Sequence, residues 1–379
     1  MVPKSKAFND LFLVTLIFSV WRGALFLFDF VSLAMTTEFD SHFKTFRALP
    51  GHWFWDSLCR WDSGWYSKIV NNGYLIEGGQ SNVVFFPLYP YLVKGLTYIV
   101  GNHWVAGILI SNLSIIAGLF FMLRIARLYL DEEGARRSLV YFLVFPASFF
   151  LSAYYTEGLF FALTSASFYF YLNKRFLPAG ILGALATMTR STGIALLGAY
   201  IIGTLWNNRF RLRGIPASFL WVFLTPLGLI AFMAILHFQV GDAFSFSKFQ
   251  SGWGRSGIGH PFNAFVDAIQ KFDWTLPRKL DNTYVVLSAV SSLLFLFIPA
   301  LGFGRIDFSL TIFSYLLLCI PLSTGSVLSM IRFEAVIFPA FIALSMAGKN
   351  RSVDRFIVCA SGLFLGLLNV LFANWYWIV

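Results

Sequence analysis

The sequence predicts an all-α membrane protein that crosses the bilayer many times, and three observations support this fold class. Hydrophobic residues make up 58% of the 379-residue chain and charged residues only 12%, more apolar surface than a soluble domain of this length buries in its core. Apolar runs of about 20 residues, the length of a membrane-spanning helix, recur along the chain. The 45 Phe, 12 Trp and 15 Tyr residues are typical of lipid-facing helices and of the membrane interface.

Nine apolar runs predict helices that cross the whole membrane. They lie at residues 8–31, 103–123, 138–153, 157–172, 215–238, 283–303, 307–322, 332–347 and 356–377. The first run follows two lysines but lacks the small residues of a signal-peptide cleavage site, so we expect it to be retained as a helix. We expect all of these helices to form one integral-membrane domain that covers residues 1–379.

Two further apolar stretches, 86–101 and 177–206, are predicted to dip into the membrane without crossing it. Short basic loops are typical of the cytoplasmic side, and this arrangement puts all of them on that side. These loops lie at residues 124–137, 174–175, 209–213 and 349–355. The polar run 188–193 also divides the second stretch into two half-length helices, and a broken helix is tolerated at membrane depth only where it lines a polar cavity. Arg190 in this run is therefore expected to face a site.

This topology leaves two long loops, 32–85 and 239–282, on the non-cytoplasmic side. Both are rich in Trp, Gly and residues of either charge. We expect them to lie on the membrane as short amphipathic helices that cover a cavity, because neither has the character of a separate domain. The chain has no internal repeat at a fixed period, which argues against an inverted-repeat transporter.

The basic charge of the chain indicates a membrane orientation rather than nucleic-acid binding. The net charge is +10, but the basic residues fall in short loops between apolar runs.

The three cysteines, Cys59, Cys319 and Cys359, have the spacing of neither a zinc site nor a disulfide framework. No residue pattern requires a metal or a cofactor, so we predict neither, although the acids near Asp62 leave a metal open. The sequence also lacks a nucleotide-type Gly-rich loop, so a nucleotide-sugar donor is not expected.

The first long loop carries the densest group of residues suited to catalysis. Asp56 and Asp62 each lie in a Trp-Asp-Ser tripeptide, and one of them could accept a proton from a sugar hydroxyl as a general base. The alternative is that these acids cap helices or lie exposed, because Asp followed by Ser and Gly is favourable at a helix N-terminus. Neighbouring basic and aromatic residues are candidates for binding substrate. These are Arg60, Trp61, Trp65, Tyr66, Phe86 and Tyr89.

Charged residues also lie within or at the ends of apolar segments. They are Arg22, Glu157, Arg190, Arg332 and Glu334. A charge at a helix centre costs about 2.5–3.5 kcal/mol on insertion scales, so each is expected to face a cavity or a partner. The alternative is structural ion pairing between helices, for example between Glu157 and Arg190. Arg332 follows a loop predicted to lie outside, which would place it near the same mouth as Asp62.

A glycine-rich turn at residues 249–255 offers an amide, an indole and a guanidinium. Gln250, Trp253 and Arg255 could bind sugar hydroxyls, stack on a sugar ring or hold a phosphate. An ordinary interfacial anchor would have the same composition.

Several of these segments, taken in order, resemble one family of membrane enzymes. They are RWDS followed by WY at 60–66, GY at 73–74, FFPLYP at 85–90, FPASFFLSAYYTE at 145–157, TRSTG at 189–193, FQ and WGR at 249–255, and SMIRF with FP at 329–339. This series resembles the PIG-V family, the mannosyltransferases that add the second mannose to glycosylphosphatidylinositol precursors. The resemblance implies a GT-C fold with its active site on the lumenal or periplasmic face. It also implies an acidic base in the first non-cytoplasmic loop, which corresponds to Asp62 with Asp56 as its upstream neighbour.

The reaction implied by the resemblance moves mannose or a similar hexose, with inversion, from a polyprenyl-phosphate donor to a lipid-linked or other membrane-proximal acceptor. Arg190 or Arg332 would stabilise the phosphate charge, and the aromatic residues would guide the prenyl chain or stack on sugar. The chain has Phe333 where the family often has Tyr, and it is shorter than the eukaryotic members. Both departures favour a prokaryotic relative in the plasma membrane, with its active site facing outward; a eukaryotic member would lie in the endoplasmic reticulum. A lipid or solute transporter and a non-catalytic scaffold are the alternatives.

Overall fold

The computed structural model of the protein describes residues 4–36, 47–76, 78–255, 257–275 and 280–378, and no β-strand occurs in these ranges. The α-helices are α1 (Lys4–Met35), α2 (Trp53–Asp56), α3 (Ser63–Asn72), α4 (Leu88–Val100), α5 (His103–Ala126), α6 (Glu132–Val144), α7 (Glu157–Leu172), α8 (Phe176–Thr189), α9 (Ala195–Asn207), α10 (Leu227–Val240), α11 (Ser245–Lys248), α12 (Asn263–Lys271), α13 (Leu280–Phe297), α14 (Phe308–Leu322), α15 (Met330–Glu334), α16 (Phe338–Ala347) and α17 (Arg351–Ala373). The prediction of an all-α protein is confirmed for these residues.

Five helical segments of the described chain are long and apolar enough to cross a membrane. They are Ala7–Met35, His103–Ala126, Ala217–Val240, Asn282–Gly302 and Arg351–Ala373. Each overlaps one of the predicted spans, and the protein is a multi-pass membrane protein. Two further predicted spans, 157–172 and 307–322, correspond to the shorter helices α7 and α14.

Two predicted spans are broken in the structure, which corrects the expectation of continuous helices. The run 138–153 leaves the helical conformation at Phe145 (φ −56°, ψ 137°), because the proline that follows disfavours a helical residue before it. The run 332–347 is divided into α15 and α16 by a turn, and α16 begins with Pro339 in its first turn, where a proline is well tolerated.

The break predicted within residues 177–206 is present. Helices α8 and α9 are separated by the 3₁₀ turn Ser191–Ile194, and Arg190 at the junction is extended (φ −155°, ψ 142°). Gly193 makes this sharp turn possible, since a Cβ atom there would lie 2.6 Å from the backbone nitrogen of Thr187. The extended conformation releases the Arg190 side chain from the helix surface and directs it toward α7.

Helix α7 is the central element of the fold. It packs against α5 on one side and α8 on the other, and its residues from Glu157 to Phe168 are all buried. A helix that is apolar all round is expected in the middle of a bundle. Its first residue, Glu157, therefore lies in the interior, where the bundle brings together charged side chains from several segments.

The first and last helices pack against each other through polar side chains. Asn369 of α17 donates a hydrogen bond to Asp29 of α1 (Nδ2 to Oδ1, 2.8 Å), and Asn374 donates to Ser32. The other carboxylate oxygen of Asp29 lies 3.8 Å from Nη2 of Arg22. The charge of Arg22 thus has a partner in its own helix.

Candidate active site

Asp62 lies at the start of α3, directly after Trp61, whose backbone is left-handed (φ 52°). The Asp62 side chain makes no capping hydrogen bond to α3 within the described chain. Its Oδ2 accepts instead from Nη1 of Arg332 at 2.6 Å. The capping alternative is therefore wrong for Asp62. The side chain is 20% exposed, so a ligand can approach the carboxylate.

Glu157 joins two arginines beneath this pair. Its Oε1 lies 2.6 Å from Nη1 of Arg190 and 3.4 Å from Nε of Arg332. The predicted pairing of Glu157 with Arg190 is thus present. Together with Asp62, these residues form a chain of alternating charges that connects α3, α7, α15 and the break between α8 and α9.

Three guanidinium groups surround the ring of Phe333. The distances from the ring centroid to the guanidinium carbon are 4.8 Å for Arg190, 4.9 Å for Arg255 and 5.4 Å for Arg332. Such contacts are favourable because the π face of the ring is electron-rich. Arg255 reaches this position from the turn 249–255, and its Nη2 donates to the carbonyl oxygen of Leu328 at 2.9 Å.

The cluster carries more positive than negative charge. Its three arginines face two carboxylates, and Arg255 has no carboxylate partner among the residues that the structure describes. Burial, together with the neighbouring charges of Arg332 and Arg190, lowers the pKa of Arg255 to about 10. A bound anion would offset this cost, because guanidinium groups bind phosphate oxygens through charge-assisted hydrogen bonds.

Tyr155 fixes the backbone on which Asp62 is carried. Its hydroxyl donates to the carbonyl oxygen of Arg60 at 3.0 Å and accepts from the amide of Asp62 at 3.2 Å. Sequence reasoning missed Tyr155, although it lies two residues before Glu157. The sequence identified Phe333 only as a departure from the family pattern. The three arginines on its ring come from separate segments, so no short sequence pattern indicates their contact.

Asp56 lies in a different environment from Asp62. It is 1% exposed, its Oδ2 accepts from Nη1 of Arg60 at 2.7 Å, and its Oδ1 accepts from the amide of Leu49 at 3.1 Å. Arg60 is fully buried, with its guanidinium 4.5 Å from the ring centroid of Trp375. Both oxygens of Asp56 are thus occupied, and this pair borders a separate cavity of about 540 Å³.

Aromatic residues from the two long loops meet beside the cluster. Trp65 and Trp253 contact edge to face, with centroids 5.3 Å apart, and Phe85 packs on both. Trp61 packs on Trp375 instead. The two long loops thus contact each other through aromatic side chains.

The remaining predicted residues are mainly packed into the bundle. Tyr89 is fully buried and bonded to Ser111, while Phe86 packs on Phe232 with centroids 4.4 Å apart. Tyr66 is buried, and its hydroxyl lies 3.3 Å from Oγ1 of Thr156. Gln250 is half-buried in the turn 249–255. Within the described ranges, no group of three His, Cys, Asp or Glu side chains could hold a metal ion.

Comparisons with known proteins agree with the resemblance. The family model described as "Mannosyltransferase (PIG-V)" matches residues 11–252. The chain is 27% identical over 164 residues to GPI mannosyltransferase 2 of Schizosaccharomyces pombe, covering 41% of the chain and 35% of that protein. It is 31% identical over 195 residues to GPI alpha-1,6-mannosyltransferase 2 of Rattus norvegicus, covering 48% of the chain and 37% of that protein. The matched stretch thus spans about a third of each relative's length.

The fold is similar to that of ArnT from Cupriavidus metallidurans. The TM-score is 0.53 for the apo structure and 0.50 for the structure bound to undecaprenyl phosphate, each at 13% identity. Both matches cover 94% of this chain, and 75% and 76% of the ArnT chains. The GT-C fold implied by the resemblance is thereby confirmed. Since the family model covers more than half of the sequence, the chain belongs to the PIG-V mannosyltransferase family.

Proposed function

We propose that this protein transfers mannose, or a similar hexose, from a polyprenyl-phosphate donor to a lipid-linked or other membrane-proximal acceptor on the non-cytoplasmic face of its membrane. The observation that carries the proposal is the pairing of Asp62 with Arg332 inside a cluster that has an excess of positive charge. Membership of a mannosyltransferase family supports the sugar. ArnT, which has the same fold, has been solved with undecaprenyl phosphate bound, and this supports a lipid-phosphate donor.

The arginines of the cluster would hold the donor phosphate. Arg332 and Arg255 lie on the same ring as Arg190, so one phosphate group could receive hydrogen bonds from more than one of them. Guanidinium groups are well suited to this because they bind phosphate oxygens bidentately. In a site that excludes water, these donors also stabilise the negative charge that grows on the phosphate as it leaves.

Asp62 would act as the general base. A hydroxyl of the acceptor attacks the anomeric carbon from the side opposite to the phosphate, and Asp62 takes its proton. The new glycosidic C–O bond forms as the bond from the anomeric carbon to the phosphate oxygen breaks. The polyprenyl phosphate then leaves with the electron pair of that bond, and the anomeric configuration is inverted.

The pair between Asp62 and Arg332 suggests an order of binding. While Nη1 of Arg332 donates to Oδ2 of Asp62 at 2.6 Å, this oxygen is occupied and does not receive the proton of an acceptor hydroxyl. A donor phosphate that binds Arg332 would compete for the same guanidinium and free the carboxylate. The base would thus become available when the donor is bound.

The test is Asp62→Asn in purified protein, with labelled polyprenyl-phosphate mannose as donor and extracted membrane lipids as acceptor. This change keeps the size of the side chain and removes its ability to take a proton. We expect the transfer rate to fall by about 100-fold or more, as is common when a general base is lost. The matched control is Asp242→Asn, since Asp242 lies in the second long loop and pairs with Lys248 at 2.7 Å; it should transfer at the wild-type rate.

Near wild-type transfer by folded Asp62→Asn protein would remove Asp62 as the base. Lipid or solute flux through wild-type protein in liposomes, with no sugar transfer to any acceptor, would instead favour the transporter alternative.

A further inference from the structure

A small cavity of about 120 Å³ lies between α12, α13 and the turn that precedes α15. Its polar side chains are Asp267, Lys271, Tyr284 and Ser326. Its remaining wall includes Gly254 and Leu328. None of its four polar side chains is among the site residues predicted from the sequence.

Tyr284 is the notable member of this set. Its side chain is 8% exposed, yet its hydroxyl has no hydrogen-bond partner among the described residues. A buried tyrosine hydroxyl normally has a partner, because leaving it unpaired is unfavourable. The ring is held by stacking on Trp377, with the ring planes 19° apart. The hydroxyl also lies within electrostatic range of Asp62 and Arg332.

The cavity is connected to the charged cluster through Arg255. Gly254, in its wall, directly precedes Arg255, and the carbonyl oxygen of Leu328, also in its wall, accepts a hydrogen bond from Arg255 at 2.9 Å. A group covalently attached to a phosphate at Arg255 would therefore begin next to this cavity. On another wall, Asp267 and Lys271 form an ion pair at 2.8 Å, which offers both an acceptor and a donor.

We propose that this cavity binds the hexose of the donor, and that Tyr284 selects it through a hydrogen bond to one of its hydroxyls. The inference rests on the proposed function. Sugars present several hydroxyls that each donate and accept, and a cavity with a phenol, a carboxylate, an ammonium and a serine hydroxyl matches this chemistry. A site built to bond a hydroxyl discriminates strongly against the analogue that lacks it, because the buried polar group is then left unpaired.

The experiment combines Tyr284→Phe with a series of donors in which each hexose hydroxyl is removed in turn. We expect the variant to lose about tenfold in kcat/KM for the parent hexose. For one monodeoxy donor, the one that lacks the hydroxyl bonded by Tyr284, variant and wild type should have equal kcat/KM. Tyr315→Phe is the matched control, because the Tyr315 hydroxyl donates to the carbonyl oxygen of Leu296, away from the cavity, and it should behave as wild type with every donor.

Asp267→Asn provides a second variant if Tyr284→Phe does not fold, and it should show the same selectivity for a different hydroxyl. An equal loss with all donors, or no loss with any, would overturn the inference while wild-type transfer continued. If wild-type protein transferred no hexose at all, the proposed function itself would be overturned.

Discussion

At the scale of single residues, Phe333 organises the positive charge of the site. Its ring is the common contact of three arginines, and it keeps their guanidinium groups close together without supplying a carboxylate that would neutralise them. Two of the arginines are paired with acids, and Arg255 is the member without a carboxylate among the described residues. Burial, followed by the charges of Arg332 and Arg190, lowers the pKa of Arg255.

Arg255 is therefore the residue with which phosphate binding can be tested without breaking an ion pair. We expect Arg255→Gln to raise KM for the lipid-phosphate donor by about tenfold, equivalent to the loss of one charge-assisted hydrogen bond. The KM for the acceptor should stay within twofold of its wild-type value. Initial rates at varied donor and acceptor concentrations measure both constants. Arg305→Gln is the control, because Arg305 is exposed. An unchanged donor KM in Arg255→Gln would exclude Arg255 from the phosphate site.

The residues of the site could be predicted in part. Charges inside apolar runs identified Glu157, Arg190 and Arg332, because a charge at membrane depth needs a partner. Asp56 and Asp62 could not be told apart, since both follow Trp and precede Ser. They differ only in tertiary contacts. Asp56 meets the buried Arg60, four residues further along the chain, while Asp62 meets Arg332, which is 270 residues away in the sequence.

At the scale of elements, the break between α8 and α9 positions Arg190. The turn fits only because Gly193 lies directly on the backbone of α8, where an added Cβ would be 2.6 Å from the nitrogen of Thr187 and 2.7 Å from the carbonyl carbon of Ala186. Such atoms are backbone and cannot rotate away. Any larger residue at position 193 must move the turn, and Arg190 with it.

Gly193→Ala should consequently destabilise the protein by about 1–3 kcal/mol, the usual cost of overpacking a filled interior. It should also lower transfer activity, because Arg190 would leave its contact with Glu157. Thermal unfolding in detergent and the transfer rate measure the two effects. Gly362→Ala in α17 is the control, since a Cβ there meets nothing within 4 Å. Equal unfolding temperatures for the two variants would contradict the tight packing of the turn.

Some breaks between helices could be predicted from the sequence, and others could not. The break in 177–206 was predicted because six consecutive residues interrupt an apolar run. The breaks after Val144 and before Phe338 were missed, because the nearby prolines, Pro146 and Pro339, do not interrupt the apolar character of their runs. Hydropathy records only polarity, whereas the restriction that a proline imposes on the preceding residue is steric.

At the scale of the whole molecule, α1 and α17 hold the two ends of the bundle together. Asn369 donates a hydrogen bond to Oδ1 of the buried Asp29. We expect Asn369→Leu to lower the free energy of unfolding by about 1–3 kcal/mol, because a buried carboxylate would lose its donor. Thermal unfolding in detergent measures the change. Asn173→Leu is the control, since the exposed amide of Asn173 donates to the carbonyl oxygen of Tyr169 in the preceding helical turn. Similar losses in both variants would contradict the role of Asn369.

The contact between Asp29 and Asn369 also constrains how the protein is made. The ribosome delivers α1 to the membrane long before it synthesises Asn369, which lies 340 residues further along the chain. During that interval the carboxylate of Asp29 has Arg22, on its own helix, as its nearest opposite charge. Until α17 is made, the Asp29 carboxylate therefore lacks the hydrogen bond from Asn369. The polar contact between α1 and α17 can form only after both helices have entered the membrane.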